Sequence, residues 1–240
     1  MDISNYNRDY NSMPYETDST VAAQSSLIKN VYLWMCGALA ITGLTAYYVG
    51  TSYDMLSYIY GSKLIFWGLI IAEFALVIGI NAAINKISAM TATLLFILYA
   101  VINGATLASI FAVYSMTAIA KTFFITAGTF GVMAIYGSVT KTDLSKIGNI
   151  LFMALIGLII AGIVNIFLKS STMDLIVSGI GVLVFVGLTA WDAQKIKALL
   201  YGVEENETTQ KIAVLGALSL YLDFINLFLY LLRFFGGSRD

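Results

Sequence analysis

Long apolar runs alternate with short polar breaks along this chain. Seven runs stand out, at 31–50, 64–84, 92–114, 122–139, 147–168, 175–192 and 212–235. A helix of about 20 apolar residues crosses a bilayer, and each run approaches or exceeds that length. Lipid admits only helices and closed barrels, and these runs are too long and continuous for barrel strands. The pattern therefore predicts seven transmembrane helices. The breaks carry the loop charges: Asp54 and Lys63, Lys86, Lys121, Lys141 with Asp143 and Lys146, and Lys169 with Asp174. The longest break is "KIKALLYGVEENETTQK", residues 195–211. Ahead of the first run, residues 1–26 are polar and lack the apolar core of a signal peptide. They are expected to be a disordered tail, with 27–240 forming one seven-helix membrane domain.

Composition agrees with the pattern. The chain is 59% hydrophobic and only 11% charged, against roughly 45–50% and ~25% in soluble domains. The net charge of −1 offers no basic field for nucleic acid. One cysteine, Cys36, forms no intrachain disulfide. The absence of histidine removes Ser/His and Cys/His catalysis, His-ligated metal sites and imidazole pH sensing. No catalytic constellation or ATP motif is present, so the expectation is a protein that is not an enzyme and carries no cofactor. With the N-terminus cytoplasmic, eight Lys and Arg fall inside and five outside. Positive charge concentrates on the cytoplasmic side, so that orientation is expected. Glycines in the fourth, fifth and sixth runs (Gly128, Gly131, Gly137, Gly157, Gly162, Gly179, Gly181, Gly187) are expected at close helix contacts.

Three acids break the apolar runs. A carboxylate at a helix centre costs roughly 2.5–3.5 kcal/mol on insertion scales, so such acids face a bundle interior and find partners. Asp223 lies near the middle of the last run. Steps of three and four from Gly216 reach Ser219, Asp223, Asn226, Tyr230 and Arg233, one narrow face of a helix that is otherwise mostly Leu, Phe and Ile. A polar stripe on a greasy helix belongs inside a bundle, facing a cavity or pore, or else it serves packing alone through hydroxyl partners. Asp192, in "GLTAWDAQKIK", shares a face with Thr189 and Lys195. It reads either as a helix-end acid paired with Lys195 or as an inward acid on a helix that continues through "AQKIKALL". Glu73 lies halfway along the second run, neutral or paired, with Asn81, Asn85 and Asn103 as candidates for the same interior. Two carboxylates in hydrogen-bond reach cannot both ionise cheaply in a low dielectric and lose their protons as a coupled pair. Hard cations such as calcium prefer the same oxygens. A proton-sensitive cation pathway is the chemistry these residues suggest.

Three blocks carry a resemblance. "ALSLYLDFINLFLYLLRFFG" (217–236), "FFITAGTFGVMAIYGSVTKTDLSKIG" (123–148) and "GLTAWDAQKIK" (187–197) resemble, in order, blocks of the Bax inhibitor-1 family of transmembrane proteins. The resemblance covers the chain from Val31 onward. It implies an all-α membrane protein, a seven-helix bundle with the last helix central and the other six around it. It implies an aspartyl pair, at Asp192 and Asp223 here, acting as the pH sensor and gate of a calcium leak and holding calcium transiently. It places a second-helix glutamate, Glu73 here, on the ion pathway, where the stripe adds Ser219 and Asn226. Some relatives carry a basic latch further along the second helix. The aligned position here is Ile84, and Lys86 is the nearest cation.

The resulting expectation is a pH-sensitive calcium-permeable leak channel, multi-pass in a bacterial plasma (inner) membrane. Its partners would be the lipid bilayer, calcium ions and protons. The alternative is a regulatory interaction protein that modulates a membrane protease or a stress response. A retinal receptor is disfavoured, because the last run holds Asp223 where a Schiff-base lysine would be needed.

Overall fold

The computed structural model describes residues 18–236. Among them nine helices follow one another without a strand: α1 (Asp18–Thr51), α2 (Tyr53–Gly61), α3 (Lys63–Ala83), α4 (Ala89–Leu107), α5 (Ile110–Val113), α6 (Met116–Val139), α7 (Ser145–Leu168), α8 (Ser171–Leu199) and α9 (Glu207–Phe235). Seven spans are long and apolar enough to cross a membrane, α5 prolonging the α4 span. Their outer faces are apolar, with Leu64 85% and Phe167 81% exposed. Water does not tolerate so wide an apolar surface, whereas lipid does. The molecule is an all-α membrane protein.

Helix starts follow from short polar residues in the breaks. The hydroxyls of Ser62, Ser88, Ser115 and Ser170 accept from the N–H three residues on, at the starts of α3, α4, α6 and α8. Such a cap satisfies a donor that the first helical turn leaves orphaned. α9 opens on a capping box, in which Asn206 accepts from Thr209 N at 3.0 Å and Thr209 Oγ1 accepts from Asn206 N at 2.9 Å. α7 has no side-chain cap at Leu144. Its start is held instead by Asp143, which accepts from Ser145 N, and by Gln194 of α8, which accepts from Leu144 N.

Three features differ from the sequence pattern. α1 begins at Asp18, so residues 18–26, expected in the tail, are helical; residues 1–17 lie outside the described residues. The cause lies one turn before the apolar run, where Leu27 is fully buried and extends the packed part of α1. α8 does not stop at Asp192 but runs on to Leu199, which shortens the long break to 200–206. The third run is interrupted near Ala108. There Tyr60 of α2 donates to Thr106 O at 2.6 Å and accepts from Ser109 N at 3.0 Å, replacing bonds that a continuous helix would make.

α9 is the most buried of the seven spans. It packs principally on α1 and α4 on one side and on α6 and α8 on the other. α3 reaches the first group through α4, and α7 reaches the second through α8. The molecule is thus two groups of three spans, the first three and the next three in sequence, joined through the last. Glycines fix some of these contacts. A Cβ at Gly137 would collide with the Ala190 backbone, one at Gly148 with the Trp191 ring, and one at Gly104 would lie 2.6 Å from Thr42 O. Gly181 and Gly187 are similarly tight, against Tyr230 and Leu151. By contrast, Gly128, Gly131, Gly157 and Gly162 face open space, so the expected tight contacts do not form there. They lie on faces turned away from neighbouring helices, where lipid replaces a partner.

Candidate functional site

The polar stripe of α9 faces α8. Gly216 abuts Ile196, Ser219 Oγ donates to Asp192 Oδ2 at 2.7 Å, the Tyr230 ring stacks on Phe185 at 5.7 Å, and Arg233 approaches Asp174 at 3.9 Å. This alternation fits an antiparallel seam. Rising residue numbers on one helix meet falling numbers on the other. Asp223, one turn beyond Ser219, is 6% exposed. Its Oδ2 is fully buried and has no hydrogen-bond partner among the described residues. Asp192 is near enough to act on it electrostatically. The two carboxyls are not hydrogen-bonded to each other; Ser219 stands as the hydroxyl on the Asp192 side.

Other expected residues lie apart from this seam. Asn226 turns its amide back to Leu222 O of its own helix, at 2.8 Å. Lys195 sits over the Trp191 ring at 5.2 Å and makes no ion pair with Asp192 among the described residues. Lys86 occupies the exposed turn after α3 and pairs with neither aspartate. No group of three acidic, cysteine or histidine side chains converges among the described residues. Asp192, Asp223 and Ser219 would offer a hard cation two carboxylates and a hydroxyl. That is at most five oxygens, against the 6–8 of a tight calcium site.

Glu73 faces a different set of residues. Asn103 Nδ2 of α4 donates to Glu73 Oε2 at 3.4 Å, and Asn103 Oδ1 accepts from the Tyr221 hydroxyl of α9 at 2.9 Å. Tyr221 lies 2.7 Å from Thr42 Oγ1 of α1, which also donates to Ala100 O at 2.9 Å. Tyr221 precedes Asp223 by two residues, about 200° around a helix. Glu73 and the aspartates therefore lie on opposite faces of α9.

A family model described as inhibitor of apoptosis-promoting Bax1 matches residues 24–240. The chain belongs to the Bax inhibitor-1 family. It is 48% identical over 228 residues to "Inner membrane protein YbhL" of Escherichia coli K12, covering 93% of this chain and 97% of that protein. A Borreliella burgdorferi protein is 44% identical, covering 93% and 99%, and a Rickettsia prowazekii protein 42% identical, covering 88% and 89%. The match spans the seam of α8 and α9 as well as both groups of spans, so the whole bundle is a family feature.

Sequence reasoning missed Thr42 and Tyr221 as site residues. Tyrosines in a membrane chain read first as interfacial anchors. Tyr221 could have been singled out by depth, since it lies well inside its run and two residues from Asp223. Gln194 was missed too. It accepts from Leu144 N at 2.9 Å and donates to Thr142 O at 2.8 Å, so it fastens the α6–α7 turn to α8 two residues from Asp192.

Proposed function

We propose that this family member is a passive, pH-sensitive cation leak, permeable to calcium, in which Asp192 and Asp223 form the sensor and gate. One observation carries the reading: a fully buried, unpartnered Asp223 oxygen on the same helix seam as Asp192. A buried carboxylate without a donor is costly, whereas a protonated one needs only an acceptor. In the protonated state α8 and α9 close on each other with little charge between them. In the ionised state two like charges share a low-dielectric seam, which drives the helices apart or draws in a cation. Ser219 orients Asp192 in both states, and Asn226 lies one turn further along the same stripe. The name of the Escherichia coli relative supports placement in an inner membrane. The bias of lysine and arginine supports a cytoplasmic N-terminus.

The test is calcium flux into liposomes holding the purified protein, scanned over pH. Flux that depends on pH in the wild type and loses that dependence in Asp192→Asn and Asp223→Asn is the expected result. Flux that is insensitive to pH and identical in both variants would remove the sensor.

A further inference from the structure

Four side chains on the other face of α9 form a chain whose hydrogens can be counted. Its links are Glu73 Oε2 to the Asn103 amide (3.4 Å), the Asn103 amide to the Tyr221 hydroxyl (2.9 Å), Tyr221 to the Thr42 hydroxyl (2.7 Å), and Thr42 to Ala100 O (2.9 Å). Tyr221 is fully buried, Thr42 is 3% exposed and Asn103 6%. The chain crosses four helices: α3, α4, α9 and α1.

Each hydroxyl has one hydrogen to donate, and a backbone carbonyl has none. If Thr42 donates to Ala100 O, it cannot also donate to Tyr221, so Tyr221 must donate to Thr42. Tyr221 then has no hydrogen left for Asn103, and the Asn103 NH2 must point at Tyr221. That turns the Asn103 oxygen toward Glu73. Two facing oxygens repel unless one carries a hydrogen, so Glu73 must be a neutral carboxylic acid. All four links are then made, in one direction. If Glu73 is ionised, it accepts from the Asn103 NH2, and every later donor reverses. Tyr221 donates to Asn103, Thr42 donates to Tyr221, and Ala100 O loses its side-chain donor. The two arrangements share the same heavy-atom positions, apart from a half-turn of the Asn103 amide that exchanges its oxygen and nitrogen.

We propose that Glu73, Asn103, Tyr221 and Thr42 form a second proton-responsive site, in which the protonation state of Glu73 sets the direction of a hydrogen-bond chain ending on α1. The bond made or broken is the Glu73 O–H; elsewhere two hydroxyls rotate and one amide turns. Asparagine passes no proton in this scheme, so the site reads a proton without conducting it. The surroundings suit a reversible state. Glu73 Oε1 is buried without a hydrogen bond, and besides Asn103 the side chain acting on the carboxyl is the Thr106 hydroxyl of α4, which donates to Ile102 O at 3.2 Å. The titratable groups acting with Glu73 are the phenols of Tyr99 on α4 and Tyr221 on α9; no lysine or arginine is among the groups acting on it. From α2, Tyr60 ends on the Thr106 carbonyl. No cation is therefore in place to hold Glu73 ionised permanently.

Infrared difference spectroscopy of the protein in lipid nanodiscs, titrated from about pH 4 to 10 to bracket carboxyl and phenol ionisation, tests this. The expected result is a neutral-carboxyl C=O band that titrates together with a tyrosine ring mode. Glu73→Gln should abolish both. Its amide NH2 mimics the neutral acid by donating to Asn103, so the fold should persist. Tyr221→Phe should remove the tyrosine component and leave the carboxyl band. The Asp192→Asn/Asp223→Asn double variant should retain both signals, which separates this site from the aspartates whether or not they gate a leak. A tyrosine mode that stays constant while Glu73 titrates would overturn the coupling. A pH-dependent tyrosine signal that survives Glu73→Gln would overturn it as well.

Discussion

The two faces of α9 handle buried polarity differently. Toward α8, Ser219 donates to Asp192 alone, and one oxygen of Asp223 has no partner. Toward α1 and α4, a single carboxyl is followed by an amide and two hydroxyls, each within 3.4 Å of the next. The first face is poor in donors and rich in acid, so its energy depends on how many protons the pair holds. The second can keep the links among its four side chains in either protonation state by redirecting hydrogens, although Glu73 Oε1 is itself buried without a hydrogen bond. The same helix thus presents an acid seam to the later group of spans and a compliant relay to the earlier group.

The sharpest way to break this contrast is through the acids. Asp192→Asn and Asp223→Asn should each change pH-dependent flux by about tenfold or more, equivalent to about 1.4 kcal/mol. Glu73→Gln should leave the pH midpoint of that flux in place. A Glu73→Gln variant whose flux profile matched Asp223→Asn would merge the two faces into one site.

The glycine contacts come next in size. Gly137→Ala and Gly104→Ala place a methyl against backbone on the two sides of the bundle. Each should destabilise by about 1–3 kcal/mol, less the helix-propensity gain of alanine. Gly128→Ala and Gly157→Ala meet open space and should be neutral or slightly stabilising in a thermal melt. A smaller effect follows from the relay. Tyr221→Phe and Thr42→Val should each cost about 0.5–1.5 kcal/mol. Because the two hydroxyls touch, their double variant should cost measurably less than the sum. Additive losses would mean that the hydroxyls do not act together.

The smallest effect lies outside the spans. The bond from Ser145 holds the exposed Asp143 carboxyl below its ordinary value of 3.8. A lowered folded value means that this contribution is present above that ordinary value and fades as pH falls through the folded one. Asp143→Asn should therefore lower melting slightly at neutral pH and converge with the wild type as pH falls below the ordinary value, removing a slight acid sensitivity at the α7 start.

Periodicity and apolar run length made the seven spans legible, and steps of three and four made the stripe of α9 legible. Neither could say which helix the stripe would meet. That depends on tertiary packing, here on how α8 lies antiparallel to α9 so that Ser219 meets Asp192. The sequence left two ends open for α8, at Asp192 or beyond "AQKIKALL", because Lys195 and Lys197 look like a membrane boundary; the helix runs on to Leu199. Lys195 instead lies over Trp191, and Lys197 reaches Ser138 O at 2.7 Å, so the helix keeps its neighbours for two more turns. The glycines show the same limit. Gly128 and Gly137 sit in one span and look alike in sequence, yet only Gly137 lies where α6 crosses α8. Thr42 and Tyr221 are single polar positions in apolar runs, and only the folded bundle brings them to Asn103.

The fastening of α8 has a mechanical consequence. Gly137 presses backbone on Ala190, Gly148 of α7 meets Trp191 of α8, Gly187 of α8 meets Leu151 of α7, and Gln194 and Lys197 tie down the turn and end of α6. α6 and α7 are therefore each fastened to α8 at these points. On the gating proposed above, a charge appearing where Asp192 lies across from α9 would act by shifting α9 against three helices fastened together.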